Sequence, residues 1–306
     1  MTRAAVFAYH NVGVRCLKVL LAHGIDVPLV VTHADTPGET IWFDSVRRTA
    51  SHYGLPVIAP TDPNAPSIVD QVAACVPDFI FSFYYRMLLG KPLLALAVRG
   101  ALNMHGSLLP KYRGRAPVNW AILHGERETG ATLHYMTEKP DNGDIVSQTA
   151  IPILPDDDAR EVFDKVTVAA EMTLDTALPA LVAGNAPRLS QDASLASYFG
   201  GRRPADGIID WRREARAIHN LVRAVAPPYP GALTHVAGHP ARILRTRVID
   251  ESSNHAPALV VDDDRLVAHC GGGGTLQVEA LEIDGVPLDA KAYVERMGGR
   301  PSELGR

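Results

Sequence analysis

The first hundred residues alternate two kinds of apolar pattern, and that alternation restricts the fold more than any other feature of the chain. Buried-strand runs stand at "AAVFAY" (4–9), "VPLVVTH" (27–33), "LPVIAP" (55–60), "DFIFSFYY" (78–85) and "GALNMH" (100–105). Helical segments lie between them: one from the turn at His10-Asn11-Val12-Gly13 to about His23, then 41–54, 66–76 and 89–97. Strands separated by crossover helices of this length predict a mostly parallel, doubly wound α/β sheet, Rossmann-like in its winding. Two further strands, 131–138 and 144–153, and one long helix from Asp158 to Gly184 follow.

The pattern changes near residue 200. "YFGGRRPADG" is a joint rich in Gly, Arg and Pro, followed by the helix "REARAIHNLVRAVA" and by short β runs between Gly, Pro and Asp turns. This predicts a small β domain of OB-like or sandwich type. The boundaries read as residues 1–203 and 204–306. No uninterrupted apolar span of 18 residues is apparent, so membrane insertion is not expected. Net charge is −4, which gives no bulk attraction to nucleic acid. Cys16, Cys75 and Cys270 are isolated and odd in number, which suits a reducing, cytoplasmic setting.

In a strand, residues i and i+2 share a face. Asn103 and His105 therefore project together from the carboxyl end of "GALNMH", where ligands of open α/β sheets bind. A His there can move protons near neutral pH, and an Asn amide can donate to an oxyanion. A carboxylate is needed to orient the imidazole and favour its protonated form. The loop "KPDNGDIV" offers Asp141 and Asp144. The other eleven histidines, His134 among them, read as structural or surface residues. The first strand–helix turn carries Gly13 alone, not a G-x-G-x-x-G nicotinamide fingerprint.

"LNMHGSLLPKYRGRAPVNWAILHGERETGATLH", "DNGDIVSQ" and "DWRREARAIHNLVRAVAPPYPGA" together resemble the formyltransferases that use 10-formyltetrahydrofolate. "VFAYHNVG", "THADTPGE" and "FSFYYRMLL" are most similar to the branch acting on UDP-4-amino-4-deoxy-L-arabinose in lipid A modification and polymyxin resistance. The resemblance implies a catalytic set of Asn103, His105 and Asp141, with Asp144 left to the turn. It implies folate contacts at Met87, Leu88 and Leu89, through their backbone, then at Arg115, Thr137, Glu138, Lys139, Pro140 and Asp141. Lys111, Arg113 and Arg115 are expected to face anionic groups. The implied co-substrate is 10-formyltetrahydrofolate, with no metal, and the implied partner is a small sugar nucleotide. Methionyl-tRNA formylation is the alternative activity. A non-catalytic folate or sugar-nucleotide binding protein is the alternative of another class.

Overall fold

The computed structural model describes residues 1–36 and 38–305. Pro37, inside the "THADTPGE" segment, and Arg306 lie outside the described residues. The strands of the first half are β1 (Arg3–Ala8), β2 (Asp26–Val31), β3 (Val57–Ile58), β4 (Phe79–Phe83), β5 (Gly100–His105), β6 (Arg113–Gly114), β7 (Glu128–Tyr135), β8 (Ile145–Pro152) and β9 (Tyr198–Phe199). The helices are α1 (His10–Ala22), α2 (Val46–His52), α3 (Pro66–Ala74), α4 (Lys91–Leu94), α5 (Pro117–Leu123) and α6 (Ala159–Ala183).

Seven strands form one sheet in the order β3-β2-β1-β4-β5-β7-β8. The first five run parallel, while β7 and β8 add antiparallel. β4 is buried at every residue and β1 at all but its first, as expected of strands covered on both faces. Phe7, Val31, Ile80, Leu93 and Ala101 gather in one apolar cluster. The topological switch falls between β1 and β4, one strand from β5.

The expected helix at 41–54 is shorter. α2 starts at Val46 because the Ser45 side chain caps it, accepting from the Arg48 N–H at 3.2 Å. Residues 42–44 are held elsewhere: Trp42 and Phe43 pack on the His10 ring, and the Asp44 N–H donates to Asn11 Oδ1 at 2.8 Å. α6 also departs from the sequence reading. By length and composition it is apolar enough to cross a membrane. Val166, Leu174 and Leu178 on it are nevertheless fully buried, and its Glu171 and Asp175 pair with Arg15 and His23 of α1.

The second compact unit adds α7 (Ala215–Ala224), β10 (Ala232–Val236), β11 (His239–Asp250), β12 (Ala258–Asp262), β13 (Arg265–His269), β14 (Thr275–Ile283), β15 (Val286–Leu288), α8 (Ala290–Met297) and β16 (Ser302–Gly305). It also includes residues 118–127 and 153–163. The strand order is β11-β10-β16-β12-β13-β14-β15. Pairing of β11 with β14 closes six of these strands into an antiparallel barrel. Register shifts along β11 allow a twelve-residue strand to turn the barrel's corner. Trp211, Ile218, Val222, Ile243, Leu276 and Ile283 fill the interior. Trp211 Nε1–H donates to Thr234 Oγ1 at 2.8 Å, so its one polar atom is paired inside that core.

Candidate active site

β5 ends in Asn103-Met104-His105. Met104 points into the core at 1% exposure, which turns Asn103 and His105 to the opposite face. Asp141 reaches them from the loop between β7 and β8. Its φ of +54° is left-handed, a conformation Asp tolerates better than most residues. Gly143 lets the same loop fold back on β7, since a Cβ there would meet the Tyr135 carbonyl oxygen.

The Asp141 carboxylate is the hub of the site. Oδ1 lies 3.5 Å from Asn103 Nδ2, from His105 Nδ1 and from His134 Nε2. Oδ2 accepts from the Gly114 N–H at 2.8 Å. Gly114 is required there: its φ is +98°, and a Cβ would lie 2.1 Å from the Phe199 carbonyl oxygen.

Hydrogen bonds fix the tautomers. His105 Nε2–H donates to the Tyr112 carbonyl at 2.8 Å, so the neutral ring is unprotonated at Nδ1, the atom facing Asp141. His134 Nδ1–H donates to the Tyr135 carbonyl at 2.9 Å, leaving Nε2 to accept from Asn103 Nδ2–H at 3.2 Å. That acceptor orients the Asn103 amide. Its second N–H faces Asp141 only at 3.5 Å and is loosely held.

Burial pushes the His105 imidazole below its ordinary range; Asp141 and the Tyr112 carbonyl oppose this without overcoming it. The expectation that Asp141 keeps His105 protonated is therefore corrected, because desolvation of a ring only 6% exposed outweighs the neighbouring charge. Burial also acts to raise Asp141, but His105, His134 and the Gly114 N–H outweigh it and hold the carboxyl well below the usual range. At neutral pH the site thus pairs a neutral base with an ionised carboxylate.

The loop after β5 is rigid. Thr132 Oγ1 donates to the Ser107 carbonyl at 2.6 Å and accepts from the Leu109 N–H at 3.1 Å. Gln148 Nε2–H donates to the Leu109 carbonyl at 2.9 Å. Arg113 is not turned toward a ligand. Its guanidinium donates to Gln191 Oε1 at 2.6 Å, and Gln191 Nε2–H donates to the carbonyls of Asp141 and Gly143 at 2.9 and 2.7 Å. Arg113 therefore braces the Asp141 loop. Arg115 is exposed, its N–H bonded to the Phe199 carbonyl and its guanidinium without an ion pair among the described residues.

The remaining expected folate contacts occupy two segments. Met87 and Leu88 are exposed, but the Leu88 carbonyl accepts from Asn64 Nδ2–H at 3.0 Å, so at Leu88 it is the side chain that remains available. Leu89 is half-buried beside the apolar cluster. Thr137 Oγ1–H donates to the Lys139 carbonyl at 2.9 Å, Glu138 pairs with Lys91 at 3.0 Å, and Pro140 is half-buried before Asp141. A cleft of about 340 Å³ runs beside this loop, lined by Leu94, Ala101, Met136, Thr137, Asn142 and Asp144 among others. Its size and mixed lining fit a flat heteroaromatic group.

Sequence reasoning missed His134, Gly114 and Gln191. His134 pairs directly with Asn103 across β5 and β7, and no local pattern encodes that register. Gly114 and Gln191 act through backbone groups brought together from 27 and 50 residues away in the chain.

A doubly wound sheet carrying an Asn, a neutral His and an ionised Asp at the end of β5 defines a group-transfer site. The chain belongs to the formyl transferase family: the family description "Formyl transferase" matches residues 13–178, and "Formyl transferase, C-terminal domain" matches 202–298. Among solved structures, it is similar to an N-formyltransferase from Helicobacter canadensis in complex with folinic acid and dTDP-3-aminofucose. That likeness has 19% identity, a TM-score of 0.72 and coverage of 91% of this chain and 99% of the other. WlaRD, a sugar 3N-formyl transferase with dTDP and 5-N-formyl-THF, is 20% identical with a TM-score of 0.70, over 90% and 97% of the two chains. Glycinamide ribonucleotide transformylase 1 from Symbiobacterium toebii is 21% identical with a TM-score of 0.54, over 62% and 93%.

Proposed function

We propose that this enzyme moves the formyl group of 10-formyltetrahydrofolate onto the 4-amino group of a UDP-linked amino sugar, UDP-4-amino-4-deoxy-L-arabinose, in the cytoplasmic phase of lipid A modification. The observation that carries the chemistry is the convergence of Asn103, His105 and Asp141 within 3.5 Å at the carboxyl end of β5.

The donor supplies a formyl group on an amine nitrogen; the chain's residues do the rest. The loosely held N–H of Asn103 is available for the negative charge that develops on the formyl oxygen. His105, neutral and open at Nδ1, takes the proton released by the attacking amine and returns it to the departing nitrogen. Asp141, ionised, stabilises the imidazolium formed in between. His134 holds the Asn103 amide in the donating orientation.

Three observations support a sugar nucleotide as the acceptor. The segments 5–13, 32–39 and 81–89 resemble the UDP-4-amino-4-deoxy-L-arabinose branch. Two structurally similar proteins hold a formyl-folate together with dTDP or a dTDP-sugar. The third is charge. Residues 205–306 contain 12 Lys and Arg against 14 Asp and Glu, whereas a tRNA-binding domain needs a basic surface. Arg242, Arg245 and Arg247 on β11 do not form a free basic stripe: Arg242 pairs with Glu282, and the other two share Glu279. Fold alone does not select the acceptor, since a glycinamide ribonucleotide enzyme shares it. The test is formyl transfer by the purified protein to a panel of UDP- and dTDP-linked amino sugars, with initiator methionyl-tRNA at the same low salt. Transfer to the UDP-4-amino sugar is expected; efficient tRNA formylation with none to any sugar nucleotide overturns the acceptor assignment.

A further inference from the structure

We infer that Asp144 and Arg188 form a pair that reads the pterin ring of the donor, an inference that rests on the formyl-folate reading above. Both residues line the cleft beside the 137–141 loop, together with Gly100, Ala101, Met136 and Asn142. Neither is used by the Asn103–His105–Asp141 set.

The segment carrying Arg188 is fastened to the catalytic loop. Leu189 exchanges both backbone hydrogen bonds with Ile145, at 2.8 and 2.9 Å. Ser190 Oγ–H donates to Asp144 Oδ1 at 3.2 Å, and Gln191 holds the carbonyls of Asp141 and Gly143. Residues 188–191 are thus the outer wall of the loop that presents Asp141.

Arg188 stands at the end of that wall. Its guanidinium lies over the Tyr135 ring, 3.8 Å from the centroid, and beside Gly100 at the start of β5. Among the described residues it has no carboxylate partner, so its N–H edge is free while its face is fixed. Asp144 is likewise not paired with it. Ser190 occupies one Asp144 oxygen, and the other has no hydrogen-bond partner among the described residues.

The cleft therefore presents one anionic acceptor and one cationic donor on adjacent walls. The 2-amino-4-oxo edge of a pterin is the complement: its 2-amino and N3 hydrogens donate, and its 4-oxo group accepts. A carboxylate receives the two hydrogens side by side, and a guanidinium donates to the oxygen. Gly100 lies three residues before Asn103, about 10 Å along the strand. That span suits a ring docked in the cleft with its formyl group at the end of β5.

The test compares wild type, Arg188→Gln, Arg188→Lys and Asp144→Asn with two donors: 10-formyltetrahydrofolate and 10-formyltetrahydropteroate, which has the pterin but no glutamate. Discounted for solvent exposure, each loss of charge is expected to raise the donor KM about 5- to 20-fold, more than it lowers kcat, and equally for both donors. Arg188→Lys, which keeps the charge, is expected to recover part of the loss. KM values within twofold of wild type in Arg188→Gln and Asp144→Asn overturn the pair and leave the donor reading standing. A rise confined to the glutamate-bearing donor overturns it too, by placing Arg188 on the tail. Failure of the wild type to use either donor overturns the donor reading itself.

Discussion

Replacing Asp141 by Asn changes one charge at the centre of the site and little of its shape. The carboxylate lies 3.5 Å from His105 Nδ1, and the two side chains are 11% and 7% exposed. At an effective dielectric of about 20, two unit charges at that separation attract by about 5 kcal/mol, a ceiling on what Asp141 lends the imidazolium. The hydrogen-bond pattern adds to the loss. If the new carbonyl keeps the Gly114 N–H, the new amide N–H₂ faces the unprotonated His105 Nδ1 and ties up the atom that must take a proton. Losing about 3–5 kcal/mol of transition-state stabilisation corresponds to a fall in kcat of about 10²- to 10⁴-fold. The His105 pKa, already held below its ordinary range by burial, should fall further. The acid limb of kcat/KM should therefore move to lower pH. Imidazole NMR titration alongside the pH–rate profile checks both. Undiminished turnover, or a His105 pKa unchanged or raised, refutes the role given to Asp141.

His105→Ala should lower kcat by about 10²- to 10⁴-fold and Asn103→Ala by about 10²- to 10³-fold, read as single-turnover formyl transfer, with far-UV circular dichroism unchanged. Gly114→Ala should cost about 1–3 kcal/mol in a denaturant melt and also depress turnover, because its Cβ would drive β6 from β9 and withdraw the N–H that holds Asp141. Asp141 has a folded-state pKa below its unfolded value. Its stabilisation is complete above about pH 4 and is lost as pH falls toward the folded value, so Asp141→Asn should flatten the acid side of the stability–pH curve.

The parts of the fold that local pattern determines were visible in the sequence. Buried strands of the parallel sheet appear as unbroken apolar runs because both faces are covered, and β5 occupies the residues read for it, Gly100–His105. The spacing of Asn103 and His105 carried the site for the same reason. Contacts made by distant pairing left no such trace. The tail "RPSELGR" has no strong strand signal, yet β16 sits between β10 and β12 and completes the barrel ring. Charge was also misread where it was spent internally. Arg113 looked like an anion ligand and is a brace, acting through Gln191. His134 looked inert because its role depends on the antiparallel register of β7 against β5.

Formyl transfer itself is the most direct measurement. Purified protein is mixed with 10-formyltetrahydrofolate and UDP-4-amino-4-deoxy-L-arabinose, and tetrahydrofolate release and the mass of the sugar nucleotide are followed together, for wild type and His105→Ala. The account predicts that wild type gives one formyl group gained per tetrahydrofolate released, at a rate that His105→Ala lowers by at least about 10²-fold. Equal rates in the two proteins, or tetrahydrofolate released with no formyl group on the sugar, would contradict it.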